Sequence, residues 1–300
     1  LCYLAGIPFR LGDKNRIPVS LFLNFSMPQP FRNLMLHETE QNLELLKPCI
    51  DSTKISKKMD LELSENTLIN AKECLQKNGW IGSDLIGIHP STGGGNRPWS
   101  EAKYAQLMQV ILSQSNFQIV VTGFGESDQQ KVNNILSLIP NHQSIINLVN
   151  QSDLETLKGV IKYCKCYIGT DTGPTHMAAA LNVPVISISP TKFVKSLRWG
   201  PWGVTNQVVG NPQACPYICN PHKCKKPNCL DAIDVLEIYS KLKWILHKKI
   251  VPSESQNKKH WFTKSINLMI YITKVNQSER VYINQLLQNL KSNQINYNIV

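Results

Sequence analysis

The chain is 300 residues long, with 42% hydrophobic residues and 17 prolines, enough for two domains and a sizeable core. Its formal net charge of +11, from 32 basic and 21 acidic residues, keeps nucleic acid, anionic lipid and phosphorylated substrates open as partners. No apolar run is long enough to cross a bilayer, which excludes a transmembrane helix, and nine cysteines without a secretory leader set the reducing cytosol as the default compartment.

Residues 1–78 read as the tail of one α/β domain. Leu1-Cys-Tyr-Leu-Ala-Gly6 lacks the basic flank of a signal peptide and reads as the middle of a fold, so an N-terminal portion is expected before it. A strand is predicted over Gly6 to Gly12. Pro18, Pro28 and Pro30 mark the following stretch as loop around a short apolar piece, Val19 to Phe25. Leu36, Leu43 and Leu46 fall on helical spacing, which predicts a helix from His37 to Leu46 closed by Lys47-Pro48, with His37 exposed at its start. A second helix, Ser64 to Asn78, takes Ser64 as its cap and ends at Gly79.

A second domain, residues 84–247, opens with the buried strand Leu85 to His89. The loop after it, Pro90-Ser-Thr-Gly-Gly-Gly-Asn-Arg-Pro-Trp-Ser100, places Thr92 and a fork of guanidinium donors on Arg97 beside three glycines that permit close backbone approach. No Gly-Lys-Ser/Thr follows, so this is not a P-loop. Ser100 caps a helix from Glu101 to Gln114, and Phe117 to Thr122 is the next strand. The turn Gly123-Phe-Gly-Glu-Ser-Asp128 lacks the third glycine of a dinucleotide fingerprint, Asp128 standing in its place. A helix from Asp128 to Leu138, a strand from Ile145 to Leu148 and a helix from Asp153 to Tyr163 follow.

The chain is organised around Cys166 to Ala180. Cys166 to Gly169 reads as a strand end, Thr170-Asp-Thr-Gly173 as a tight polar turn, and Pro174 suits the opening of a helix because its missing N–H would be unpaired there anyway. An open helix start carries about half a positive charge and free N–H groups, so it attracts phosphate, and Thr172 and His176 add a hydroxyl and an imidazole to the same mouth. Asp171 would repel a phosphate and suits sugar hydroxyls or backbone N–H groups. The residues alone leave two readings open: an anion site, or Asp171 as a helix cap with His176 half-buried in the core. Pro184 to Ser189 is a further buried strand. Leu197-Arg-Trp-Gly-Pro-Trp-Gly203 reads as a packed aromatic loop, and Asp231 to His247 as the last helix of the domain.

Asp171-Thr-Gly-Pro-Thr-His176 followed by Ala178-Ala-Ala-Leu-Asn-Val-Pro184 resembles the signature of glycosyltransferase family 9, the ADP-heptose:lipopolysaccharide heptosyltransferases. The resemblance implies an α/β fold of GT-B type. Two Rossmann-like domains face a cleft, the N-terminal one incomplete here, with the start of an extra α/β unit at the C-terminus. It implies an inverting transfer of heptose from ADP-heptose to the lipopolysaccharide inner core, in the cytoplasm and peripheral to the inner membrane, with no nucleic acid partner. Thr92, Arg97, Glu126, Asp171, Thr172, Gly173 and His176 match its donor-binding positions. Arg97 stands where Lys is more usual, and Glu126 matches the acid that holds the ribose. The helix start and Arg97 would neutralise the departing diphosphate, so no cofactor and no catalytic metal are implied. Family members supply a general base as an Asp from the first loop of the N-terminal domain; no segment here matches it, and none is assigned. A protein-modifying heptosyltransferase and a non-catalytic nucleotide-sugar-binding module remain the alternative readings.

Three features stand apart from that pattern. Cys215, Cys219, Cys224 and Cys229 have spacings unlike ordinary zinc ribbons, which leaves metal binding open. Residues 248–264 form a basic linker. Residues 265–300 read as strand, helix (Ser278 to Leu290) and strand, the opening of a further α/β unit that the chain leaves unfinished.

Overall fold

The computed structural model describes residues 3–6, 8, 10–13, 18–27, 36–46, 58–92, 98–189, 194–210, 229–247, 268–270 and 297–299. The chain divides into two compact units, Leu1–Lys249 and Ile250–Val300.

The first unit contains a six-stranded, all-parallel sheet. In chain order its strands are β3 (Leu85–His89), β4 (Gln118–Val121), β5 (Ile145–Asn147), β6 (Cys164–Thr170), β7 (Val185–Ser189) and β8 (Asn206–Gly210), arranged in space as β5-β4-β3-β6-β7-β8. Between them run α3 (Glu101–Gln114), α4 (Glu126–Ser137), α5 (Leu154–Tyr163), α6 (Gly173–Ala180) and α7 (Val194–Trp199), with α2 (Glu65–Lys77) before the sheet and α8 (Val235–His247) after it. Helices cover both faces, as parallel strands require. Side chains alternate along each strand, so Ile86 and Ile88 pack with α3, α4 and α8, while Leu85 packs with α2, α5 and α6. Strands β3, β4 and β7 are buried at every position, and each fully buried Ile, Leu or Val contributes about 1.5–3 kcal/mol relative to exposure. At Gly87 a Cβ would overlap the ring of Tyr167, so glycine lets that fully buried tyrosine cross beneath β3.

Several elements form as the sequence dictates. Strand β3 and helix α3 have the expected bounds. Helix α2 is capped by Ser64 Oγ, which accepts from Thr67 N–H at 3.1 Å, and Gly79 follows its end at φ +97°. Helix α5 is capped by Asp153 Oδ1, which accepts from Thr156 N–H at 2.7 Å.

Elsewhere the structure differs from expectation. The strand over Gly6 to Gly12 is instead β1 (Leu11–Asp13), paired in parallel with β2 (Phe25–Met27). Most of the apolar piece before β2 is a 3-10 turn, Val19–Phe22. Helix α4 begins two residues early because Gly125, at φ +90°, serves as its N-cap, and the acids Glu126 and Asp128 suit a helix start. Strand β8 was not expected, since Asn206-Gln207 breaks the apolar pattern of an edge strand. The first helix, α1 (Glu38–Leu46), forms, but His37 before it is buried rather than exposed.

In the second unit β9 (Leu268–Ile270) and β10 (Tyr297–Ile299) pair in parallel. The helix expected between them, the basic linker and Cys215, Cys219 and Cys224 lie outside the described residues. Among the described residues no helix is long and apolar enough to cross a membrane.

Candidate nucleotide-sugar site

The sheet order reverses at β3, which pairs with β4 on one side and β6 on the other. Ligands of open parallel sheets bind at such a reversal, beyond the carboxyl ends of the strands. Thr92 follows β3, Glu126 follows β4, and Asp171, Thr172 and Gly173 follow β6, so these residues share one edge of three adjacent parallel strands. Thr92 is half-buried and Glu126 exposed in the first turn of α4, beyond the turn in which the sequence placed it. Arg97 lies outside the described residues.

Helix α6 opens onto this edge. Thr172 is its N-cap, in extended backbone, and its hydroxyl makes no cap hydrogen bond, donating instead to Thr170 O at 3.4 Å. Pro174 sits in the first turn. Gly173 is exposed, and a Cβ there would meet nothing within 4 Å, so among the described residues the helix start is open. Asp171 Oδ1 accepts from His176 Nε2 at 3.0 Å, which fixes the imidazole over the first turn. Both groups are only partly buried. Below them Thr175, fully buried, donates from Oγ1 to Thr170 O at 2.6 Å, anchoring the helix to the strand end.

A buried polar chain supports this edge. His89 Nδ1 lies 3.1 Å from Thr122 Oγ1, which lies 2.6 Å from Tyr167 Oη. Burial holds the His89 imidazole below the usual histidine range, against the pull of nearby Asp128.

Sequence reasoning missed His37. Its Nε2–H donates to Gly200 O at 2.8 Å, its Nδ1 accepts from Thr39 N–H at 3.1 Å, and its ring stacks on Trp202 with centroids 4.4 Å apart. Next to it Arg198 Nε donates to Glu38 Oε2 at 2.7 Å. Burial lowers the His37 pKa, against the opposing pull of the hydrogen bond to Gly200 O. The cue lay in the aromatic loop Leu197 to Gly203, which needed something to pack on.

Comparisons with known proteins bear on the fold and the family. Escherichia coli ADP-heptose LPS heptosyltransferase II matches the fold with a TM-score of 0.65, at 21% identity, over 82% of this chain and 72% of that one. A glycosyl transferase family 9 structure from Veillonella parvula matches with a TM-score of 0.64, at 16% identity, over 76% of this chain and 64% of that one. The fold is therefore the GT-B type of the heptosyltransferases. In sequence, lipooligosaccharide heptosyltransferase 2 of Campylobacter jejuni is 29% identical over 120 residues, 39% of this chain and 37% of that protein. Lipopolysaccharide heptosyltransferase 3 of Escherichia coli K12 is 24% identical over 184 residues, 60% of this chain and 52% of that protein. The chain thus spans about a third to a half of the length of these two relatives. The profile of glycosyltransferase family 9 (heptosyltransferase) matches residues 1–229, and the chain belongs to that family.

Proposed function

We propose that this chain binds ADP-heptose at the edge formed by β3, β4 and β6, for transfer of the heptose to the inner core of lipopolysaccharide at the inner membrane surface. The observation that carries the reading is the open N-terminus of α6 at the sheet reversal, with the Asp171–His176 pair beside it.

The departing group of such a transfer is ADP, whose diphosphate gains negative charge as the glycosidic bond breaks. Donors aimed at that charge before it develops are often the largest catalytic contribution. Here the first-turn dipoles of α6 and the Gly173 N–H supply them, the Thr172 hydroxyl joins by leaving Thr170 O, to which it donates at 3.4 Å, and Arg97 completes the set from the loop after β3. Glu126 accepts from the ribose hydroxyls, and Thr92 contacts phosphate. His176, held by Asp171, presents its remaining ring edge to the donor phosphate or sugar. Inverting chemistry needs a general base on the acceptor hydroxyl, and no residue is assigned to it.

Calorimetric titration of the full chain with ADP, UDP and GDP tests the reading. ADP is expected to bind tightest, and Asp171→Ala and Arg97→Ala each to weaken it. Preference for UDP, or unchanged ADP affinity in both variants, would overturn the assignment.

A further inference from the structure

A line of hydrogen bonds runs through all three loops of the candidate site without using any residue assigned to the ligand. It starts in α6, where Thr175 Oγ1 donates to Thr170 O at 2.6 Å. Thr170 Oγ1 then donates to Ser91 O at 2.9 Å, joining the end of β6 to the loop after β3. Ser91 Oγ donates in turn to Asp128 Oδ1 in α4. The second carboxylate oxygen of Asp128 accepts from Phe124 N–H at 2.9 Å, closing the turn that leads into α4. Thr175, Thr170 and Ser91 are all buried.

Each member sits beside a proposed ligand contact. Ser91 precedes Thr92, Thr170 precedes Asp171, and Asp128 lies two residues beyond Glu126. An ionised carboxylate can only accept, so Asp128 takes both bonds and cannot exchange them for donations elsewhere. The approach is also close: a Cβ at Gly123 would come within 3.0 Å of Asp128 Cβ and 3.2 Å of its Oδ2. The third glycine of a dinucleotide turn lets helix and strand pack closely; Asp128, in that place, bonds the helix start to the neighbouring loop instead.

We propose that Asp128 is a positioning residue for the donor site: through Ser91 and Phe124 it holds the loop after β3 and the start of α4 in register, so that Thr92 and Glu126 meet one nucleotide diphosphate together. This rests on the nucleotide-sugar reading above and adds residues that do not touch the ligand. The line to Thr170 extends the same register to α6, so the pyrophosphate and ribose contacts are set by one bonded frame.

The test is ADP calorimetry on the full 300-residue chain, with melting temperature measured in parallel. Asp128→Ala and Ser91→Ala are each expected to weaken ADP about five- to twentyfold, because each breaks the bond that ties the loop after β3 to α4 and leaves its partner unpaired, buried Ser91 in one case and half-buried Asp128 in the other. The double variant should be no weaker than Asp128→Ala alone, since the bond that Ser91→Ala breaks is already lost in it. Asp128→Asn keeps the volume and one acceptor oxygen, and should fall between parent and Asp128→Ala. Glu126→Ala removes a direct contact and should weaken ADP in any of these backgrounds. If Glu126→Ala and Asp171→Ala weaken ADP while folded Asp128 and Ser91 variants stay within about twofold of the parent, the positioning role is overturned and the site reading stands. Additive losses from Asp128→Ala and Ser91→Ala overturn it as well. If the parent does not bind ADP, the site reading fails and the positioning role with it.

Discussion

Gly169→Ala puts a defined strain under the open helix start. Gly169 lies in β6 between His89 of β3 and Ser187 of β7. A Cβ there would stand 2.9 Å from Thr175 Oγ1 and 3.4 Å from His89 O. Thr175 has no room to yield: it is 0% exposed, its hydroxyl is bonded to Thr170 O at 2.6 Å, and a β-branched side chain in a helix has few rotamers. The first turn of α6 must therefore lift by a few tenths of an ångström. Overpacking of this kind costs about 1–3 kcal/mol, and weakening the Thr175 bond adds up to about 1 kcal/mol. At roughly 2–4 °C per kcal/mol for a domain of this size, the melting temperature should fall by about 2–16 °C. Calorimetry or dye-monitored melting without ligand reads it. Thr175→Ala removes the atom that the new methyl meets. The double variant should then lose less than the sum of the singles, by at least about 0.5 kcal/mol. Strict additivity, or a Gly169→Ala protein melting within about 1 °C of the parent, would show that the contact between β6 and α6 is not what the structure describes.

Two further outcomes are expected. Burial lowers the pKa of both His37 and His89 from 6.5, so the unfolded chain takes up those protons more readily than the folded one. Stability should be full above pH 6.5 and decline as pH falls through that value towards the lower folded-state pKa; urea unfolding between pH 8 and 5 that shows a flat or opposite trend would contradict this. Burial pushes the thiols of Cys164 and Cys166 well up, whereas Cys74 is only half-buried. Peptide mapping after alkylation of the native protein should find Cys74 modified ahead of both, and equal labelling of Cys166 would refute their burial.

Much of the six-stranded unit was legible because its signals are local. Leu85, Ile86 and Ile88 are apolar around a single glycine and Ser100 precedes a clean helical stripe, so strand and helix bounds followed. The turn at Asp171 to Gly173 was legible from Pro174 and the alanines after it. What escaped depends on partners far along the chain. His37 is buried because Gly200, 163 residues away, accepts its N–H. Strand β8 forms because β7 already offers an edge, although its first two residues are polar. The bond from Ser91 to Asp128 joins residues whose types suit any surface loop. Gly125 announced a turn, but only its positive φ shows that the helix starts there and carries Glu126 in its first turn.

The His37–Gly200 and Glu38–Arg198 contacts also act as a clamp. They tie the start of α1 to α7 and to the residue just after it, 163 and 160 positions along the chain, so this helix moves with α7. Spin labels on α1 and beside Trp199 should therefore keep their spacing when ADP is added, and a changed spacing would show that the clamp opens.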